Sequence, residues 1–275
     1  MPPIQLETAV KYASHEWGGY VLEEWQSLFP GIDDWLASPG QLVLDSPCRR
    51  IARHDTPKGI VYSKLMWAQN DGAVKKKEIF AWLKWTLGPQ RALQIWIVSR
   101  KMLQCGHLCA EPVLAVRKYF AAANLRHLNL LVTKEVTSPT LEKIVLSGGK
   151  AAEDAVVVAG ECLALLHADR FLHGDYLPRN ACLQNGKIVF LDNDKTSHWN
   201  IIPPFFLRQR NLDQFAYNLT ILAGLDDFCE TLPLMFIDAY CHVAGLASAS
   251  LSKKVMLKAK LRWQNKAARI RQKTQ

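Results

Sequence analysis

The sequence holds no CxxC pair. Its seven cysteines, Cys48, Cys105, Cys109, Cys162, Cys182, Cys229 and Cys241, are odd in number and scattered. That pattern excludes a zinc knuckle and a disulfide framework, and it reads as reduced thiols in a cytosolic compartment. Long apolar runs are missing too. The longest, "AVVVAGECLALLHA", is interrupted by Glu161 and is too short to span a bilayer. The opening "MPPIQLETAVKYASHEW" has no basic segment leading into an apolar one, so no signal peptide is expected. Internal repeats and low-complexity linkers are absent. Acids are in the minority, 25 against 34 Lys and Arg, for a net charge of +9. A surplus of this sign favours anionic partners, whether nucleotide, nucleic acid or an anionic membrane face, without choosing among them.

What is present suffices for a sizeable core. The chain has 275 residues, 49% of them hydrophobic and 21% charged, which argues against disorder and allows one large domain or two lobes. Residues 1–37 read as an N-terminal helical, aromatic extension that ends where Pro and Gly punctuate "FPGIDDWLASPG". "QLVL", "RRIARH" and "GIVYSKLMW" then read as strands, the last bounded by Gly59 and "QNDG" in the manner of a hairpin. Lys75 to Gln104 turns helical with a break at "LGPQ", and "EPVLAVRKYF" and "HLNLLVTKEV" give two further strands. Helices are expected over 151–168, 211–224 and 231–245, with a basic tail helix from about 252. A sheet-rich first half and a helical second half is an α+β pattern. The expected division is 1–37, then a first lobe over 38–135 and a second over 136–275.

The segment "FLHGDYLPRNACLQNGKIVFLDNDKT", residues 171–196, sets three acids among apolar runs. It parses as strand, loop, hairpin turn at Asn185–Gly186, and strand. Asp175 and Asn180 lie before the hairpin, and Asp192 and Asp194 lie just beyond it. There, strand alternation would place both acids on one face. A hairpin returns its ends to each other, so Asp175, Asn180 and Asp192 can converge. Carboxylates with an Asn carbonyl suit a hard, oxygen-seeking ion, above all Mg²⁺, which usually works alongside substrate phosphates.

"HGDYLPRN" followed by "VFLDND" resembles the catalytic loop and metal-binding strand of the protein-kinase-like superfamily. "HGD" in place of "HRD" is similar to the small-molecule and sugar kinases. Within the superfamily the chain most resembles the lipopolysaccharide core kinases, the Kdo and heptose kinase (Kdo/WaaP) family. The likeness runs through "IVYSKLMW", "GPQRALQIWIVSRKMLQCGHLCAEPVLA", "LLVTKEV" and "LALLHADRFLHGDYLPRNACLQNGKIVFLDNDKT", covering most of residues 58–196. The resemblance implies a protein-kinase-like bilobal fold and an enzyme using ATP and Mg²⁺. It implies Asp175 as the group that orients the acceptor hydroxyl and takes its proton. Asn180 and Asp192 would hold the metal on the ATP phosphates, with Asp194 supporting them. Lys64 would contact the phosphates from its strand, and Glu135 would lie where the backbone meets adenine. His173 and Asp213 would brace the catalytic loop.

The chain also departs from the family pattern. "LDSPCRRIAR" contains no glycine where a Gly-rich phosphate loop would be, which leaves Arg49 and Arg50 as electrostatic substitutes. "ALQIW" offers no glutamate to pair with Lys64, so Glu78 is the candidate partner. No platform for a peptide substrate follows Asp192.

Outside this motif, His107, His167 and His242 read as satisfied core or boundary histidines, and Cys105 and Cys109 as buried thiols. "KKKEIFAWLKW" (75–85) forms a basic aromatic face suited to an anionic interface, and the basic tail reads as a solvated helix face. The resemblance implies phosphorylation of a Kdo or heptose hydroxyl of the lipopolysaccharide inner core. The partner would be a lipid A-linked core oligosaccharide, with transient contact at the cytoplasmic face of the inner membrane and no nucleic acid. Two alternatives stand beside it: a kinase for a small soluble acceptor, and a catalytically weak kinase-like protein that binds anionic lipid or nucleic acid.

Overall fold

The computed structural model describes residues 7–14, 16–38, 40–67, 91–118, 128–224 and 228–274. Two compact units divide the chain: residues 1–104 with 110–135, and residues 105–109 with 136–275. The architecture is α+β, with a large antiparallel sheet in the first unit and helices dominating the second.

In the first unit, strands β1 (Ala9–Ala13) and β2 (Trp17–Leu22) form a hairpin. A 3-10 turn (Glu23–Leu28) and helix α1 (Ile32–Ala37) follow, then β3 (Gln41–Ser46), β4 (Arg49–Thr56) and β5 (Gly59–Trp67). Helix α2 (Arg91–Gln104) precedes β7 (Pro112–Lys118) and β8 (Leu128–Lys134); the short β6 (Leu108–Cys109) between them belongs to the second unit. The seven strands of the first unit lie in the order β1-β2-β7-β8-β5-β4-β3.

The expectation of helix throughout 1–37 is corrected at Ala9–Ala13 and Trp17–Leu22, which are strands. Gly18 and Gly19 explain the difference, because glycine weakens a helix and permits close strand approach. A Cβ on Gly19 would lie 2.1 Å from the Ala115 carbonyl oxygen on the neighbouring β7.

Register shows which side chains share a face. Tyr20 is opposite Ala115, Ala115 opposite Leu131, Leu131 opposite Lys64, and Lys64 opposite Ile51. Trp96 of α2 stacks on Tyr20 with centroids 6.2 Å apart, so α2 covers this Lys64 face. The next row, Val21, Leu114, Val132 and Ser63, faces the other way. Ser63 bonds His54 at 2.9 Å, and the His54 ring lies 4.2 Å from that of Trp35 in α1. The N-terminal segment therefore covers the second face. With both faces buried, β7 and β8 read as continuous apolar runs.

The second unit is built on α3 (Leu141–Ser147), α4 (Gly149–Ala168), α5 (Phe205–Leu222), α6 (Thr231–Ala244) and α7 (Ser248–Thr274). Between α4 and α5 lie β9 (Phe171–Leu172), β10 (Ala181–Gln184), β11 (Lys187–Phe190) and β12 (Ser197–His198). β10 and β11 form the expected hairpin, with Asn185 and Gly186 at φ 50° and 70°, as the favoured two-residue turn needs. β6 adds parallel to β11, and β12 pairs with β9. Helices α4 and α6 pack closely at Gly160, where a Cβ would lie 2.3 Å from the Phe236 carbonyl oxygen. Tyr176, Phe215 and Phe236 stack in the core, with centroids 4.7 and 4.4 Å apart. Cys109 is buried as expected, whereas Cys105 is exposed. Among the described residues, no helix is long and apolar enough to cross a membrane.

Candidate active site

The hairpin of β10 and β11 ties the two ends of the 171–196 segment together. The Leu191 N–H donates to the Asn180 carbonyl (2.8 Å), and the Asn180 side-chain amide donates to the Asp175 carbonyl (2.9 Å). Buried His173 closes the circuit. Its Nε2 donates to the Leu191 carbonyl (3.0 Å), and its Nδ1 accepts from the Asp175 N–H (3.4 Å). Those two bonds require the neutral ring, and burial holds the His173 pKa below the ordinary histidine value. The backbone at Asp175, Asn180 and Leu191–Asp192 is thus one hydrogen-bonded unit.

The loop's first glycine has a steric reason. A Cβ on Gly174 would lie 2.5 Å from both Cβ and the carbonyl oxygen of Lys195. The acidic turn itself, at Lys195, lies against position 174, so any side chain there collides with it. This is the physical basis of "HGD" in this chain.

The alternation expected for Asp192 and Asp194 is corrected. The strand ends at Phe190; Asp192 is exposed and left-handed, with φ 51° and ψ 56°, and Asp194 sits half-buried in a 3-10 turn, Asn193–Lys195. Left-handed backbone is uncommon outside glycine, though aspartate tolerates it better than most residues. Asn193 is buried, and its side-chain oxygen accepts from the Thr196 hydroxyl (3.2 Å), which fastens the turn. Among the described residues, no three His, Cys, Asp or Glu side chains cluster to hold a metal. The candidate set of Asn180, Asp192 and Asp194 contains two carboxylates and an amide.

A brace for the loop comes from a residue that sequence reasoning missed. Asn211 in α5 donates to the His173 carbonyl (2.6 Å) and accepts from Nε2 of His167 (3.1 Å). His167 Nδ1 in turn accepts from the Tyr240 hydroxyl (2.9 Å). The chain from Tyr240 through His167 to Asn211 is buried, and burial lowers the His167 pKa to about 4. Asp213, expected as the brace, pairs instead with Lys258 of α7 (2.8 Å), and its Oδ1 has no hydrogen-bond partner. The sequence signal was an asparagine two residues before Asp213 in an expected helix.

The remaining candidates lie in the first unit. Lys64 is half-buried in β5, between Ile51 and Leu131. Glu135 follows β8; its N–H donates to the Ile60 carbonyl (3.0 Å), and its carboxylate accepts from the Tyr62 hydroxyl (3.2 Å) and lies 3.9 Å from Arg53. In place of a Gly-rich loop, Pro47 and Cys48 join β3 to β4 in a tight turn. Register separates the two arginines that follow. Arg49, opposite Met66, shares the Lys64 face, whereas Arg50 points the other way and pairs with Asp45 (2.9 Å). Glu78 and the basic aromatic stretch 75–85 lie outside the described residues.

No protein-family model matches the chain, and no curated protein does. Solved structures do. The chain superposes on WaaP, solved in complex with acyl carrier protein, with a TM-score of 0.60 at 14% identity, covering 90% of this chain and 97% of that one. The fold is protein-kinase-like. A second match is the amicoumacin kinase hAmiN, solved with AMP-PNP, Ca²⁺ and Ami, at 12% identity over 91% and 94% of the two chains, with a TM-score of 0.49. At 14% identity the likeness to WaaP speaks for the architecture alone.

Proposed function

We propose that this chain is an ATP- and Mg²⁺-dependent kinase that phosphorylates a Kdo or heptose hydroxyl of the lipopolysaccharide inner core. The observation that carries the reading is the hydrogen-bonded unit of Asp175, Asn180 and Leu191–Asp192, held by neutral His173. A carboxylate with no chemical task has no need of such fixed backbone around it.

The donor set fits the metal. Because the Asn180 amide nitrogen is engaged with the Asp175 carbonyl, its oxygen is the free end of that group. Exposed Asp192 and half-buried Asp194 add carboxylate oxygens. Oxygen-only donors suit Mg²⁺, which usually keeps several waters and binds through few protein ligands. The bound ion supplies charge neutralisation on the ATP phosphates.

Asp175 orients the acceptor hydroxyl and accepts its proton as that oxygen bonds to the γ-phosphorus. The bond from the γ-phosphorus to its bridging oxygen breaks, and ADP leaves with that electron pair. Lys64 neutralises the ATP phosphates, and Arg49, on the same face, does part of the work of the missing Gly-rich loop. Glu135, whose N–H is engaged with Ile60, offers its backbone carbonyl to adenine. The acceptor is a lipid A-linked core oligosaccharide reached at the cytoplasmic face of the inner membrane. The positive net charge suits so anionic an acceptor.

The test is transfer of γ-labelled phosphate from ATP into extracted lipopolysaccharide, with and without Mg²⁺, using Asp175→Ala as control. Metal-dependent label that drops about a thousandfold in the variant, while Mg-ATP binding persists, is the expected result. Label in a soluble aminoglycoside but none in the glycolipid would move the acceptor to a small molecule. Absence of nucleotide binding would end the kinase reading.

A further inference from the structure

We propose that residues 200–206, at the entry to α5, are a docking wedge for the surface of an anionic lipid bilayer. Ile201 and Ile202 are 69% and 53% exposed, and Phe205 and Phe206 are 40% and 69% exposed. A single exposed apolar residue means little. Four large ones in adjacent positions form a patch of the kind that marks an interaction surface.

The patch is held out on a fastened backbone. Trp199 N–H donates to the Arg170 carbonyl (2.8 Å), and the Arg170 guanidinium donates to the Asn200 carbonyl (3.0 Å). Arg208 Nε donates to the carbonyl of buried Pro203 (2.9 Å), and the Leu207 and Arg208 N–H groups bond that of Pro204. The patch is therefore presented by ordered structure, and it follows β12, which pairs with the β9 strand leading into His173.

Charge selects the occupant. From Lys195 to Leu212 the chain carries Lys195, Arg208 and Arg210 and no acid. Arg208 lies over the Phe205 ring, 5.5 Å from its centroid, and Arg210 is exposed. Apolar side chains with Arg208 over one ring and an exposed Arg210 one turn after Phe206 match the acyl boundary beneath anionic headgroups, where insertion and charge attraction add. The biological reason for such docking rests on the glycolipid acceptor proposed above; the docking itself does not need it.

The experiment is co-sedimentation of the full chain, without nucleotide, with vesicles of phosphatidylcholine containing about one-third phosphatidylglycerol, and with phosphatidylcholine alone. Wild type should bind the anionic vesicles. Ile201→Ser with Phe206→Ser should weaken binding about tenfold or more, and Arg210→Ala about fivefold, on anionic vesicles only. An unchanged melting temperature confirms that the exposed substitutions leave folding intact. Equal binding by wild type and the double variant overturns the proposal. So does wild type that ignores vesicles, including the case where it self-associates through this patch and the double variant is monomeric. Phosphate transfer to detergent-dispersed acceptor is measured separately. Transfer without vesicle binding removes the wedge and keeps the kinase, and vesicle binding without transfer does the reverse.

Discussion

Asn211 donates a 2.6 Å hydrogen bond to the carbonyl of His173. Through it, α5 grips the loop immediately before Asp175, and His173 passes that constraint on to Leu191 and the acidic turn. The loop is thus set by a buried neutral network that begins at Tyr240.

Asn211→Leu removes both bonds and leaves the His173 carbonyl and Nε2 of His167 without these partners. A loss of about 2 kcal/mol in unfolding free energy is expected. Activity should fall at least about tenfold in kcat, with little change in KM for ATP, because the loop is displaced while the phosphate contacts proposed for the first unit are untouched. Denaturant titration alongside steady-state kinetics checks both. A kcat equal to wild type would show that α5 does not position Asp175.

The same network makes stability depend on pH. Burial depresses the folded pKa of His167 to about 4 from the ordinary 6.5. The unfolded chain therefore takes up a proton more readily. The contribution is complete above about pH 6.5 and is lost as pH falls toward about 4. Between about pH 7 and pH 5 it amounts to about 2 kcal/mol. His173 and His107 are also lowered, chiefly by burial, and act in the same direction. His167→Gln should flatten the wild-type decline by that amount in urea titrations at the two pH values. Parallel curves would refute the assignment.

Gly174→Arg restores the letter of the protein-kinase motif and should damage this protein. The new Cβ meets Lys195 at 2.5 Å, so the Asn193–Lys195 turn must move or the loop must shift. Overpacking of this kind costs about 1–3 kcal/mol, and the melting temperature should fall by several degrees. A variant as stable as wild type would mean that the turn is free to move.

Arg49 and Arg50 are adjacent in sequence and opposite in orientation. Arg49→Ala should raise the KM for ATP about tenfold, the scale of one lost charge-assisted phosphate contact. Arg50→Ala breaks only an exposed pair with Asp45 and should change KM less than about twofold. ATP kinetics of the two single variants decide between them. Equal effects would remove Arg49 from the phosphate role.

The sequence by itself determined the β10–β11 hairpin and the meeting of its ends. All of that lies within residues 171–196, where Asn185–Gly186 specifies the turn and short apolar strands follow from local pattern. It also showed the α+β division, since the helical and alternating periods are local properties. Tertiary structure decided the rest. Ala9–Ala13 and Trp17–Leu22 are strands because β7 offers an edge on which Gly19 can lie close. Asp192 and Asp194 leave strand alternation because the chain turns left-handed to pass beneath Gly174. Asn211 and Asp213 are two residues apart, about 200° around a helix, so they face nearly opposite ways. Which of them meets the loop depends on how α5 is rotated against α4 and α7. That rotation is set by long-range packing of Phe215, Tyr176 and Phe236, and no local pattern encodes it.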